Sequence, residues 1–172
     1  MKPTELARPI PCPPGTPLCK RLMANGRWVA QEKVDGWRCM VDTRGKRVKI
    51  WSRHGEPIAP MPGPLWEEIR GLPPGLVLDT ELVRPFQELV VFDILYSGHQ
   101  DLRQQPLAQR GMRTLAAIER CGPRIAPVEC AVVEKERFYK IVVNRGGEGI
   151  VLKSLADPYP PHKGATWLKV KP

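Results

Sequence analysis

The sequence predicts an α+β fold in which antiparallel β-sheets are flanked by two or three helices. Two observations lead there, and the length bounds them. From Arg27 onward the chain is dominated by short β-branched and apolar runs separated by turn residues, and only a few windows carry the periodicity of a helix. At 172 residues the chain is long enough for one domain with a real core and too short for two full ones.

The elements follow in order. Residues 1–26 are rich in proline and read as an extension packed on the domain, irregular and extended, with one short turn near "LCKRLMANG". The domain itself is expected to run over residues 27–172. "RWVAQEK", "RCMVD" and "RVKIWS" read as three strands of an antiparallel meander, the first joint made by Asp35-Gly36 and the second by "TRGK". "GPLWEEIRGL" suits a short helix, while "LVLDTELV" and "ELVVFDILY" have the composition of buried strands. "PLAQRGMRTLAAIERC", Pro106 to Cys121, opens on proline and carries Leu107, Met112, Leu115, Ala116 and Ile118 as its apolar positions, the pattern of an amphipathic helix. "KERFYKIVVNRGG" reads as a further helix closed by a glycine pair, followed by strands "GIVLKS" and "TWLKVK".

Composition narrows the function classes. Lysine and arginine outnumber aspartate and glutamate by 27 to 18, a formal charge of +9 that favours a polyanionic partner such as nucleic acid or a nucleotide. There is no basic run of five or more, so the positive face has to come from folding. Five cysteines without a C-x-x-C pair indicate neither a disulfide framework nor a zinc site. The amino terminus has no apolar signal core, and no window approaches about 18 apolar residues. The expectation is a cytoplasmic or nucleoid-associated monomer with no membrane contact.

One short window carries chemistry. "KVDGWR", Lys33 to Arg38, fixes four positions in six, K-x-D-G-x-R. At average usage such a match arises by accident about once in a thousand chains of this length. A lysine serves as a nucleophile only when burial or neighbouring cations disfavour its charge, because an unperturbed amine with a pKa of about 10.4 is almost wholly protonated at pH 7. Arg38, Arg53, Lys169 and Lys171 are the cations the sequence offers for that crowding, and the same groups would bind phosphates. Lys169 and Lys171 share one face of a strand, with Val170 turned into the core. Glu81 and Glu148, placed at strand ends, are suited to accept from a ribose hydroxyl or to hold a hard metal ion. Phe92 offers a flat ring to a base. Each has a plain alternative: "SRHG" as a polar turn, Phe92 as a core ring, the lysine pair as a solvated strand face.

The ordered set of "KVDGWR", "SRHG" at Ser52, "LDTELV" at Leu78, "VFDILY" at Val91, "EGIVLKS" at Glu148 and "WLKVKP" at Trp167 resembles the motifs of the covalent nucleotidyltransferase superfamily. It is most similar to the adenylation domain of ATP-dependent DNA ligases. The resemblance implies an ATP-grasp-like nucleotidyltransferase fold, with ATP and Mg2+ as cofactors and nicked duplex DNA as partner. It implies that Lys33 attacks the α-phosphate of ATP and carries AMP as a phosphoramidate, with Lys169 and Lys171 stabilising the charge. Glu32 is implied to line the adenine pocket through its backbone, Arg38 and Arg53 to hold ribose and phosphate oxygens, Glu81 the ribose, Phe92 the base and Lys153 the nucleotide, with Glu148 as the metal-linked acid. AMP then passes to a 5′-phosphate, and attack by the adjacent 3′-hydroxyl seals the nick, the chemistry of DNA repair, replication and recombination. Where the family usually reads D-G-E or E-G-E this chain reads "DTE", with Thr80 in place of glycine, so a shifted backbone is expected there. The chain ends directly after the last motif, so the expectation is a domain without the OB fold that follows in ligases, weak alone in taking AMP from ATP and served by an OB domain supplied separately. The alternatives are a capping-type guanylyltransferase using GTP, and a non-catalytic nucleotide or nucleic-acid binding module.

Overall fold

The computed structural model describes residues 6–60, 62–83, 85, 87–160 and 166–172; residues 1–5 of the predicted extension lie outside them. In chain order the elements are β1 (Ile10–Pro11), α1 (Pro17–Ala24), β2 (Trp28–Glu32), β3 (Gly36–Asp42), β4 (Lys49–Ser52), β5 (Pro57–Ile58), α2 (Pro64–Arg70), β6 (Leu76–Val83), β7 (Glu88–Ser97), β8 (Gln100–Asp101), α3 (Leu107–Ile118), β9 (Ile125–Pro127), β10 (Cys130–Ala131), α4 (Lys135–Asn144), β11 (Ile150–Ser154) and β12 (Leu168–Val170). The α+β class holds, and most strand pairs are antiparallel.

The strands form two sheets. One has the order β1-β12-β11-β2-β10; the other runs β5-β4-β3-β6-β7-β8, with β9 added beside β7. The expected meander is therefore corrected at its first joint. β3 and β4 form the hairpin around "TRGK", but β2 and β3 belong to different sheets, and Lys33 to Asp35 cross between them. Asp-Gly is a hairpin signal only when the flanking runs pair with each other. Here β2 pairs with β11 and β10, while β3 pairs with β4 and β6. Gly36 is needed for close approach: a Cβ there would stand 2.2 Å from the Leu82 carbonyl oxygen.

Three apolar clusters stack these layers. One lies between the larger sheet and α2 and α3, including Val41, Leu78, Leu82, Val91, Ile69 and Ile118. A second fills the space between the smaller sheet and α1 and α4, with Ala30, Val142, Ile150, Leu152, Leu168 and Val170. The third, Ala7, Met40, Val77, Leu95, Val151, Tyr159 and Trp167, lies between the sheets. Successive strand residues face opposite ways, so β11 sends Ile150 and Leu152 to the helices and Val151 to the opposing sheet.

Two local expectations change. The turn near "LCKRLMANG" is the eight-residue α1, started by Pro17 and capped by Thr16, whose hydroxyl oxygen accepts from the Cys19 N–H at 3.3 Å. In α3 the inward residues are Leu107, Arg110, Thr114 and Ile118, whereas Met112 and Leu115 face solvent. The helix is turned by a charge: Arg110, wholly buried, forks onto Asp93 of β7 at 2.9 and 2.8 Å.

Candidate active site

Between the sheets opens a cleft of about 270 Å3, lined by residues that include Gln31, Glu32, Lys33, Arg38, Arg53, Glu81, Phe92, Lys153, Trp167 and Lys169. Strand alternation explains the set. From β2, Gln31 faces the cleft and Ala30 the helices; from β12, Lys169 faces it while Leu168 and Val170 are buried on the other side. Eight of the ten residues singled out from the sequence line this cleft. The other two, Glu148 and Lys171, join at its rim: Glu148 is bonded to the Lys33 amine, and Lys171 Nζ lies 3.0 Å from the same carboxylate oxygen.

Lys33 is placed by its backbone. It follows the last residue of β2, and its N–H donates to the Gly149 carbonyl at 2.9 Å. Gly149 has φ +105°, and a Cβ there would stand 2.1 Å from the Val170 carbonyl oxygen, so β2, the "GGEG" turn and β12 meet at this point. The side chain's immediate partner is a carboxylate, which corrects the expectation of an amine crowded only by cations. Bonds from Lys33 and from Lys171 hold the Glu148 carboxyl below the usual range. Glu148 lies in the turn before β11, and Glu81 lies within β6 opposite Arg38, so the expected strand-end placement fails for Glu81.

Arg38 is anchored as well as aimed. Its Nε and Nη2 donate to the two Asp79 oxygens at 2.9 and 2.7 Å, and Nη1 donates to the Ala7 carbonyl at 2.6 Å. Tyr159 adds a bond from its hydroxyl to Asp79 at 2.8 Å. Burial works against the Arg38 charge, and Asp79 more than offsets it, raising the group above its ordinary value. Thr80, expected to shift the backbone, keeps a strand conformation without positive φ and pairs with Cys39; its hydroxyl donates to the Cys39 carbonyl at 3.0 Å. The register between β6 and β7 does slip beside it, and Phe92 is left without a partner on β6, free to turn into the cleft.

Two titrating groups are strongly perturbed. Burial pushes the Glu81 carboxyl up to about 7; Arg38 and Lys33 oppose this, and Asp79 and Asp35 add to it. Burial also lowers Lys153 to about 8, against the pull of Asp93 and Asp79. Lys153 has an aromatic seat, its Nζ lying 3.8 Å from the Trp167 ring centroid and 5.8 Å from that of Phe92. Arg53 is exposed, its Nε donating to His54 Nε2 at 3.0 Å. The Glu32 carboxylate accepts from Arg145, which also bonds Glu129 at 2.9 Å.

Several site residues were not picked out from the sequence. Asp79 and Gln31 sit two positions before Glu81 and Lys33, the same-face spacing of a strand, and that spacing was the signal available. Gln31 is only 8% exposed, and its Oε1 has no hydrogen-bond partner among the described residues. Trp167 and Tyr159, edge to face at 5.2 Å, are brought in by tertiary packing alone.

The donor set suits a nucleotide: aromatic and apolar walls from Phe92, Val151 and Trp167, and cations along the cleft. For a divalent ion it offers Glu148 at the rim, since Glu32 is tied to Arg145 and Glu81 is pushed toward its neutral form. That fits a metal held mainly by phosphates and water, and no cluster of three metal-ligating side chains occurs among the described residues. Nor, among them, is any helix long and apolar enough to cross a membrane.

Comparison with known proteins agrees. Residues 16–88 and 84–171 match the family model described as ATP dependent DNA ligase domain. A probable DNA ligase of a Nocardioides species is 33% identical over 87% of this chain and 34% of its own length. The DNA ligase of Thermococcus fumicolans is 30% identical over 88% of this chain and 33% of its own length. The chain spans about a third of the length of these curated relatives. Among solved structures, the ligase domain from M. tuberculosis LigD superposes with a TM-score of 0.75 at 20% identity, over 98% of this chain and 58% of that one. The ATP-dependent DNA ligase from bacteriophage T7, in complex with ATP, gives 0.68 at 18% identity, over 99% and 69%. Both likenesses are of fold.

Proposed function

Since this chain belongs to the family of ATP-dependent DNA ligase domains, we propose that it is the nucleotide-transferring core of a DNA ligase, with Lys33 as the residue that carries AMP. The observation that supports this best is the convergence of Lys33, Glu148 and Lys171, from three separate segments, at the rim of a cleft that holds Phe92, Lys153 and Lys169.

In this reading the base enters between Phe92 and Val151. Gln31 offers the base an unpartnered acceptor on the cleft wall, suited to take an N–H from its edge. Glu81 accepts from the ribose, and Arg38, with one N–H left on each terminal nitrogen, reaches ribose or phosphate oxygens.

An ammonium held by a carboxylate is not a nucleophile, so Glu148 has to release Lys33 as the nucleotide binds. Nζ then gives up one proton to solvent and attacks the α-phosphorus; as the N–P bond forms it gives up a second, and the bond from the α-phosphorus to the bridging oxygen breaks, releasing pyrophosphate. Lys169 and Lys171 offset the charge on the α-phosphate oxygens. A bound magnesium ion, held through Glu148 and the phosphates, would neutralise part of the triphosphate charge. The AMP is destined for the 5′-phosphate of a nicked duplex, sealed by the neighbouring 3′-hydroxyl.

Incubation of the full chain with ATP and magnesium, followed by peptide mapping, tests the reading. AMP is expected on Lys33 alone, lost on adding excess pyrophosphate and absent from Lys33→Ala, with GTP a poor competitor. Label on another residue, or a Lys33→Ala chain that still becomes labelled, overturns it.

A further inference from the structure

We propose that Arg8 is a second phosphate subsite of the cleft, taking a phosphate other than the one at Lys33; this rests on the nucleotide-transfer reading above. Arg8 lies before the stretch matched by the family model and lines the cleft together with Lys33, Arg53 and Lys169.

The backbone on both sides of Arg8 is fixed. Ala7 is fully buried; its carbonyl accepts from Arg38, and its N–H donates to the Tyr159 hydroxyl at 3.2 Å. Two residues beyond Arg8, the Ile10 N–H donates to the Trp167 carbonyl at 2.9 Å, where β1 joins β12. The stem is thus held while the guanidinium stays exposed, making no hydrogen bond, ion pair or ring contact among the described residues.

Most other cations of the cleft are already engaged. Lys33 is bonded to Glu148, Arg38 to Asp79 and Ala7, Arg53 to His54, and Lys153 rests on Trp167. Arg8 and Lys169 are the two cleft cations whose side chains have no such partner among the described residues. The acidic lining does not offset them, since Glu32 is tied to Arg145 and Glu81 is pushed toward its neutral form. A cleft with two uncommitted positive groups is built for more negative charge than one phosphate brings, and the planar guanidinium fork matches a terminal phosphate dianion. With the α-phosphate at Lys33, the phosphates left for Arg8 are those of the pyrophosphate leaving group. A second source of the same chemistry is the 5′-phosphate of the acceptor strand.

Calorimetric titration of the full chain separates these. Arg8→Ala is expected to weaken ATP roughly tenfold while AMP binds as before, with Arg8→Lys intermediate, the scale of one charge-assisted bond. A loss confined to nicked duplex bearing a 5′-phosphate, against the same duplex without it, keeps the subsite and assigns it to the acceptor. Equal weakening of ATP and AMP, or no change with any of these ligands, overturns it. A wild-type chain that binds no nucleotide overturns the nucleotide-transfer reading itself and the subsite with it, so the two failures are told apart by the unmutated protein.

Discussion

Glu81 concentrates several forces on one carboxyl. It is enclosed within β6 and faces Arg38, Asp79, Lys33 and Asp35, and burial dominates, raising its value from 4.5 to about 7. A raised acid binds its proton more tightly when folded, so its contribution to stability is complete below the unfolded value and is lost as pH rises through the folded one. The thermal midpoint should therefore carry a falling component between about pH 4.5 and 7, and Glu81→Gln should remove it. A midpoint with the same pH slope in both proteins would contradict the assignment. At this scale the sequence was informative about which side chains meet, because motif spacing preserved them; it was silent on their states. The pairing of Lys33 with Glu148, the anchoring of Arg38 and the seat of Lys153 on Trp167 depend on partners 14 to 115 positions away, set by tertiary packing.

At the level of the element, legibility followed pairing distance. The β3–β4 hairpin, the strands β6 and β7, and the helices α2, α3 and α4 were readable because their signals are local. The crossover at Lys33 to Asp35 was not, since the same dipeptide would have closed a hairpin had β2 and β3 been partners. The face of α3 was misread for a similar reason: apolarity placed Met112 and Leu115 inside, yet the helix is oriented by the Asp93–Arg110 pair, which only tertiary structure reveals. Removing one member of such a pair leaves a buried charge unpaired. Arg110→Ala should lower stability by about 3–5 kcal/mol, measured by urea unfolding; a cost below about 1 kcal/mol would mean that α3 is held chiefly by its apolar contacts.

For the molecule as a whole, the formal charge of +9 is spread over the chain and becomes a field only on folding. If nicked duplex is the acceptor, binding proceeds mainly through phosphates and is largely independent of sequence. The association constant should fall roughly tenfold or more between 50 and 200 mM salt, as read by fluorescence anisotropy of a labelled nick. Binding that ignores salt would exclude a phosphate-led interface.

One two-residue strand, β1, sets a rule for handling the protein. β1 lies along β12 in parallel, and the Cys12 N–H donates to the Lys169 carbonyl at 2.9 Å, yet the stretch matched by the family model begins only at residue 16. A polypeptide trimmed to that boundary would strip β12 of its outer neighbour, baring a sheet margin prone to self-association and slackening the ribbon that presents Lys169. Anyone shortening this chain for expression should keep residues 6–15.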